Sequence, residues 1–226
     1  MTRTVITLIT ALLTVCSAKA QTVNYHPFEH YTARTEAFAK MRAVDSTDIV
    51  MLGNSLTEFA GDWNKLVRGR HIRNRGIAGD DVAGISHRLN QILPGRPKAI
   101  FLMAGINDIS HDLTARQVGD LCNALIDRIR RESPTTKLYV QSLLPINEST
   151  ERWKTLEGKT DLVPVVNTII RRHCERHGIT FINLFPKFTR HGTNEMRLSL
   201  TSDGLHLTPQ GYKVWAFMLR RYLKGI

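Results

Sequence analysis

The sequence predicts an α/β fold, a three-layer α/β/α sandwich built on a five-stranded parallel sheet. Three observations point there. Short apolar runs of strand length alternate along the chain with longer runs of helical period, the pattern of a parallel sheet with helices on both faces. Residues 98–104 are apolar at nearly every position, as a strand covered on both faces must be. No internal repeat, low-complexity tract or composition break interrupts the chain, so residues 21–226 are expected to form one domain.

The elements follow in order. Residues 1–20 read as a secretory leader: Arg3 gives a positive start, residues 5–16 are apolar, and Ala18-Lys19-Ala20 is a small-x-small cleavage site. The apolar run is too short to span a bilayer. Val15 stands before Cys16 where a lipoprotein signal wants a small residue, so cleavage is expected after Ala20. That cut leaves 206 of the 226 residues, enough for one domain with a full core. No later segment is apolar for long enough to cross a membrane.

Residues 21–47 read as an arm and a helix. Residues 48–52 form the first strand and run into Gly53; residues 71–74 form the second. A helix is expected over 81–93, with Val82, Ile85, Leu89 and Ile92 on one face and Pro94-Gly95 as its stop. The third strand is 98–104. The helix 114–132 opens on a capping box, Thr114 with Gln117 three residues on. Strand four is 137–141. A helix over 164–177 ends at Gly178 in the C′ position, and strand five is 179–184. The last helix, 209–223, has Thr208 as N-cap and Pro209 at its first position. Residues 144–161 and 186–202 are the longest irregular stretches. Loops of that length in a compact domain commonly carry binding residues or act as lids.

The formal net charge is +11, and loss of Arg3 and Lys19 with the leader lowers it to +9. Much of the positive charge sits in helix tails such as Arg128-Ile129-Arg130-Arg131 and Arg171-Arg172, where it complements the helix dipole and faces solvent. No nucleic-acid recognition motif accompanies it, so no nucleic-acid partner is expected. Cys122 and Cys174 remain after cleavage, and Cys122 lies on an apolar stripe with Val118, Leu121, Leu125 and Ile129. Two buried thiols are favoured over a disulfide, which an oxidising compartment would permit.

Chemistry-bearing residues cluster in four segments: Gly53-Asn54-Ser55-Leu56, Gly76-Ile77-Ala78-Gly79-Asp80, Gly105-Ile106-Asn107-Asp108 and Asp203-Gly204-Leu205-His206. In a parallel sheet of this kind ligands bind beyond the carboxyl ends of the strands. The first three segments follow strands one, two and three, which gathers Ser55, Gly79 and Asn107 on one edge. Ser55 needs a base to become a nucleophile. His206 can accept its proton near neutral pH, and Asp203, three residues earlier, can accept from the other ring nitrogen. The order Ser, Asp, His is one that convergent hydrolases use. The backbone N–H groups of Ser55 and Gly79 and the Asn107 amide would serve as donors to the oxyanion of a tetrahedral intermediate.

Each segment alone has an ordinary reading. A serine after a strand is most often a helix cap, here with Glu58 at N3. An Asp-x-x-His before Thr-Pro is usually a turn, and a Gly-x-Asn-Asp is usually turn chemistry. Their joint occurrence at strand ends favours catalysis.

In these residues the chain resembles the SGNH (GDSL-type) esterases and acylhydrolases, named for Ser, Gly, Asn and His in four blocks. The blocks match Ser55, Gly79, Asn107 and His206, with Asp203 as the family's acid, and the run 203–212 is specific for the family. The pattern is most similar to the branch of platelet-activating-factor acetylhydrolase subunits and carbohydrate O-acetylesterases. The resemblance implies a flavodoxin-like SGNH hydrolase fold, a Ser-His-Asp triad, an oxyanion hole of Ser55, Gly79 and Asn107, no cofactor, and short acyl groups as substrate. Asn54 departs from the name-giving motif, which has Asp there; the expected consequence is a change in how the turn is braced.

The expected protein is thus a periplasmic or secreted serine esterase that removes acetyl from a sugar or related small-molecule ester. The runner-up is a lysophospholipase or lipid acylhydrolase. A non-catalytic glycan-binding module is the reading from another class, and the Asp203–His206 pair argues against it. Thr57 stands where the Gly-x-Ser-x-Gly motif of α/β-hydrolases needs glycine. His173 and His177 are four apart on one helix, but no Glu follows His173 in the zincin manner, so no metal is expected. Asn147, Trp153, Arg190 and Asn194 in the two long loops suit a sugar ring, with Trp153 serving equally well as a core anchor. Nothing in the sequence sets the oligomeric state.

Overall fold

The computed structural model describes residues 25–226. The proposed leader and its cleavage site lie outside the described residues. In chain order the elements are α1 (Glu29–Lys40), β1 (Ile49–Gly53), α2 (Ser55–Glu58), α3 (Trp63–Val67), β2 (Ile72–Gly76) and α4 (Val82–His87). Then come β3 (Ala99–Met103), α5 (Ile106–Ser110), α6 (Ala115–Glu132), β4 (Lys137–Gln141), α7 (Leu162–Arg176), β5 (Thr180–Ile182), α8 (Phe185–Phe188) and α9 (Pro209–Leu223).

The five strands form one sheet in the order β2-β1-β3-β4-β5, and every pairing is parallel. This is the predicted α/β architecture. Every residue of β1 and β3 is buried, because α4, α6 and α7 pack together as one layer while α3 and α9 pack together as another. The α3–α9 contact is an edge-to-face pair of buried indoles, Trp63 and Trp215, at 5.1 Å between centroids. Trp215 donates through Nε1 to Gln141 Oε1 at 2.7 Å, so the helix covering the sheet satisfies the oxygen of a polar side chain inside it, while Gln141 Nε2 is buried without a partner among the described residues.

Local sequence accounts for most boundaries. Thr114 caps α6 with the reciprocal Gln117 bonds of a full capping box. Thr208 caps α9, whose bounds are the predicted ones. Gly178 has φ of +64° just beyond α7. α7 begins at Leu162, so Pro164 falls in its first turn, where a missing N–H costs nothing.

The helix expected over 81–93 is the clear departure. It ends at His87, and 3-10 turns continue over Arg88–Gln91 and Leu93–Gly95. The apolar stripe is real, since Val82, Ile85, Leu89 and Ile92 are all buried, but Arg88 is buried beside them with only 2% exposure. Its side chain turns inward to polar partners at the strand ends, and the tighter turn sits where that side chain is drawn in. Cys122 and Cys174 are buried as thiols; burial raises Cys122, and it pushes Cys174 up to about 12.

Candidate active site

The carboxyl ends of β2, β1 and β3 are in register, with Gly53 paired to both Gly76 and Met103. The chain turns sharply after each. After β1 it enters α2, whose N-cap is Asn54, accepting from the Leu56 N–H at 3.1 Å. Ser55 is therefore the first helical residue and not the cap, a correction to the capping-box reading of Ser55 and Glu58. Asn54 braces the turn, and its Nδ2 is buried without a partner among the described residues.

Ser55 is buried to 6% exposure, and its Oγ lies 2.9 Å from His206 Nε2. His206 Nδ1 lies 2.8 Å from Asp203 Oδ2. With Asp203 accepting from Nδ1–H, Nε2 is left to accept from the Ser55 hydroxyl. Asp203 Oδ1 accepts from the backbone N–H groups of His206 at 2.7 Å and Leu205 at 3.0 Å. Burial pushes the Asp203 carboxyl up, but hydrogen bonds from the His206 ring and these backbone groups outweigh it and hold the carboxyl below its ordinary range.

The 203–206 turn is clamped from outside. Gly204 has φ of +92°, and a Cβ there would lie 2.3 Å from the Asn147 carbonyl, so only glycine fits. Asn147 N–H donates to Gly204 O at 2.8 Å, and Thr150 Oγ1 donates to Asp203 O at 2.7 Å. The long loop after β4 is thereby the brace of the acid–base pair. A cavity of about 170 Å³ under that loop is lined by Ile146, Thr150, Trp153, Leu156 and Gly204 among others, without Ser55.

The three expected oxyanion donors follow β1, β2 and β3. The N–H groups of Ser55 and Gly79 have no partner among the described residues. Gly79 has φ of +83°, a left-handed turn closed by Asp80 N–H donating to Ile77 O at 3.1 Å. Asn107 Nδ2 donates to Asp80 O at 2.7 Å. This bond lays the amide against the Gly79 turn and uses one of its two N–H groups, which leaves the other for a ligand.

Beneath these donors lies a charged network that the periodicity reading passed over. Arg88 Nε donates to Asp80 Oδ2 at 2.8 Å, and Arg88 Nη2 donates to Gly53 O at 2.9 Å. One buried guanidinium thus ties the end of β1 to the turn that carries Gly79. An arginine on an otherwise apolar helical stripe was the available signal. Burial pushes the Asp80 carboxyl up to about 6, against the charge of Arg88, which pulls it down.

Asp108 is buried next to Asn107 and accepts from Val82 N–H at 3.1 Å. Burial pushes its carboxyl up to about 7, with the charge of Asp81 adding to the rise. The fold therefore binds this proton more tightly than the unfolded chain does. Its contribution to stability is complete at low pH and is lost as pH climbs from the ordinary 3.8 towards 7. Asp108→Asn removes that loss, so the variant's Tm relative to wild type should be higher at pH 8 than at pH 5. An equal difference at both pH values would sink the assignment.

The predicted loop residues divide. Asn147 is buried, with Nδ2 donating to Met196 O and Oδ1 accepting from Ser149 N–H. Arg190 pairs with Glu195, and Asn194 Nδ2 donates to Asp161 Oδ1. Each of the three has a partner within the loops, and Arg190 and Asn194 also line an open cleft over Pro186–Arg197. Trp153 is different: it is 39% exposed, and its ring lies 5.2 Å edge-on from the His206 ring. Phe59, 53% exposed and 5.1 Å from His206, flanks the same imidazole. Nothing in the sequence near Phe59 marked it.

His173 Nε2 hydrogen-bonds Asp127 Oδ1 at 2.8 Å, and His177 stands beside them. They sit on α6 and at the end of α7, which runs back from the carboxyl end of β4 to the start of β5. The cluster is at the opposite edge of the sheet from Ser55. No helix among the described residues is long and apolar enough to cross a membrane.

The GDSL-like lipase/acylhydrolase family profile matches residues 51–214. The alpha1 subunit of human platelet-activating factor acetylhydrolase IB is 26% identical over 170 residues, covering 73% of this chain and 70% of its own. A GDSL-like lipase structure from Bacteroides thetaiotaomicron is similar with a TM-score of 0.75 at 17% identity, over 86% of this chain and 97% of that one. An acetyl xylan esterase is similar with a TM-score of 0.64 at 18% identity, over 78% of this chain and 99% of that one.

Proposed function

As the chain belongs to the GDSL-like lipase/acylhydrolase family, and is a carboxylic ester hydrolase, we propose that it is an exported serine esterase that removes a short acyl group, acetyl foremost, from a carbohydrate ester. The hydrogen-bonded sequence Ser55–His206–Asp203 carries this reading.

The steps follow from the geometry. Ser55 Oγ attacks the ester carbonyl carbon while His206 Nε2 takes its proton. The carbonyl oxygen becomes an oxyanion and receives the free N–H groups of Ser55 and Gly79 and the second N–H of Asn107. Asp203 stabilises the imidazolium and holds its tautomer. The intermediate collapses as His206 gives the proton to the leaving alcohol oxygen. Water then attacks the acyl-serine with His206 as base, and the carboxylic acid leaves with Ser55 restored.

His206 protonates the alcohol, so the alcohol portion must leave on the His206 side. That side is flanked by the exposed rings of Phe59 and Trp153. Two aromatic faces beside a polar turn suit a sugar ring, whose C–H face stacks while its hydroxyls stay wet. The acetylhydrolase relative supports acetyl as the acyl group removed, and the proposed leader supports an extracellular glycan. A lipid alcohol would use the same rings, and chain-length preference separates the two.

Trp153→Ala should raise KM for an acetylated sugar by several-fold, the equivalent of about 0.5–1.5 kcal/mol of ring contact, while KM for p-nitrophenyl acetate changes less. Steady-state kinetics on both esters make the test. Equal changes would remove Trp153 from sugar binding, and octanoyl esters outpacing acetyl esters would favour the lipid acylhydrolase.

A further inference from the structure

Phe28 lies ahead of the residues that the family profile matches, yet it stands over the candidate oxyanion glycine. A Cβ built on Gly79 would come 3.1 Å from Phe28 Cζ and 3.3 Å from Cε2. The tip of the ring meets the turn, and the residue is 38% exposed.

The ring is held in place. The Phe28 carbonyl accepts from Thr32 N–H at 3.0 Å and starts α1. Tyr31, buried three residues on, donates to Gly84 O at 3.1 Å, and its ring lies 5.8 Å from Phe28. Glu58, at the end of α2, hydrogen-bonds His30 Nε2 at 3.0 Å and forms an ion pair with Arg34, whose Nε lies 3.2 Å from Oε1. The same carboxylate accepts from Ala78 N–H at 2.6 Å. One side chain therefore joins the nucleophile's helix, the glycine turn and the N-terminal helix. The first turns of α1, which Phe28 caps, are thereby fixed relative to Ser55.

The direction of the ester follows from the triad reading, on which this inference rests. The carbonyl oxygen faces Gly79 and Asn107, and the alcohol faces His206, Phe59 and Trp153. The acyl chain is left to run past the Gly79 turn, where Phe28 stands. We propose that Phe28 is the wall of the acyl subsite and restricts the enzyme to short acyl groups. The N-terminal arm, outside the catalytic segments, thus sets acyl-chain length.

The experiment compares kcat/KM for p-nitrophenyl acetate, butyrate, hexanoate and octanoate in wild type, Phe28→Ala and Phe28→Leu. Opening the wall should raise the hexanoate-to-acetate ratio by about tenfold or more in Phe28→Ala, the worth of added methylenes in an apolar pocket. Phe28→Leu, which keeps an apolar contact on Gly79, should move the ratio in the same direction by less, and it carries the test should the alanine variant fold poorly. A folded variant with the wild-type ratio overturns the proposal. The triad reading fails separately: activity that survives Ser55→Ala defeats it whatever the ratio shows.

Discussion

Ser55→Ala is expected to lower kcat by roughly 10⁶-fold, the scale seen when a nucleophile acting as part of a unit is removed. The loss should be purely chemical. Among the described residues the Ser55 side chain has one polar partner, His206, and the N-cap of α2 is Asn54, so the helix start survives the change. Tm should move little, because neither a cap nor a core contact is lost. Circular dichroism, a thermal melt and p-nitrophenyl acetate kinetics on the one preparation make the measurement. A fall in kcat of less than about tenfold would place the chemistry elsewhere.

Asn107→Ala carries the second large effect. Loss of one preorganised oxyanion donor costs ~10²–10³ in kcat, and KM should stay within a few-fold because the charge develops only in the transition state. The structure adds a cost that the sequence did not foresee. Asn107 Nδ2 also holds Asp80 O, so the variant should lose about 1 kcal/mol of stability, and Gly79 should be less firmly placed. A variant with the lowered Tm and an unchanged kcat would make Asn107 a structural residue of the turn and remove it from the mechanism.

Much of the fold was legible because period and punctuation agreed. β4 and α9 have the predicted bounds, and the α6 capping box is present as read. The candidate site was legible in part for the same reason. Its residues lie in short turns at strand ends, and the parallel register brings those ends together. What escaped depended on tertiary partners. Arg88 occupies an apolar stripe because Asp80 and Gly53 O await it from other elements. The partners of Asn147, Arg190 and Asn194 within their loops were likewise not legible, because polar side chains in a loop look alike until the chain is folded. Phe28 and Phe59 are single aromatics without a motif, and only the folded chain sets them beside Gly79 and His206.

The central claim is that Ser55 forms a covalent acyl intermediate without a metal. Intact mass and peptide mapping after treatment with a fluorophosphonate test it most directly. The account predicts one adduct per chain, carried by the peptide containing Ser55, with esterase activity lost in parallel and no adduct on the Ser55→Ala protein. It also predicts full activity in the presence of a chelator. A phosphonylated residue other than Ser55, or chelator-sensitive activity that persists in Ser55→Ala, would contradict it.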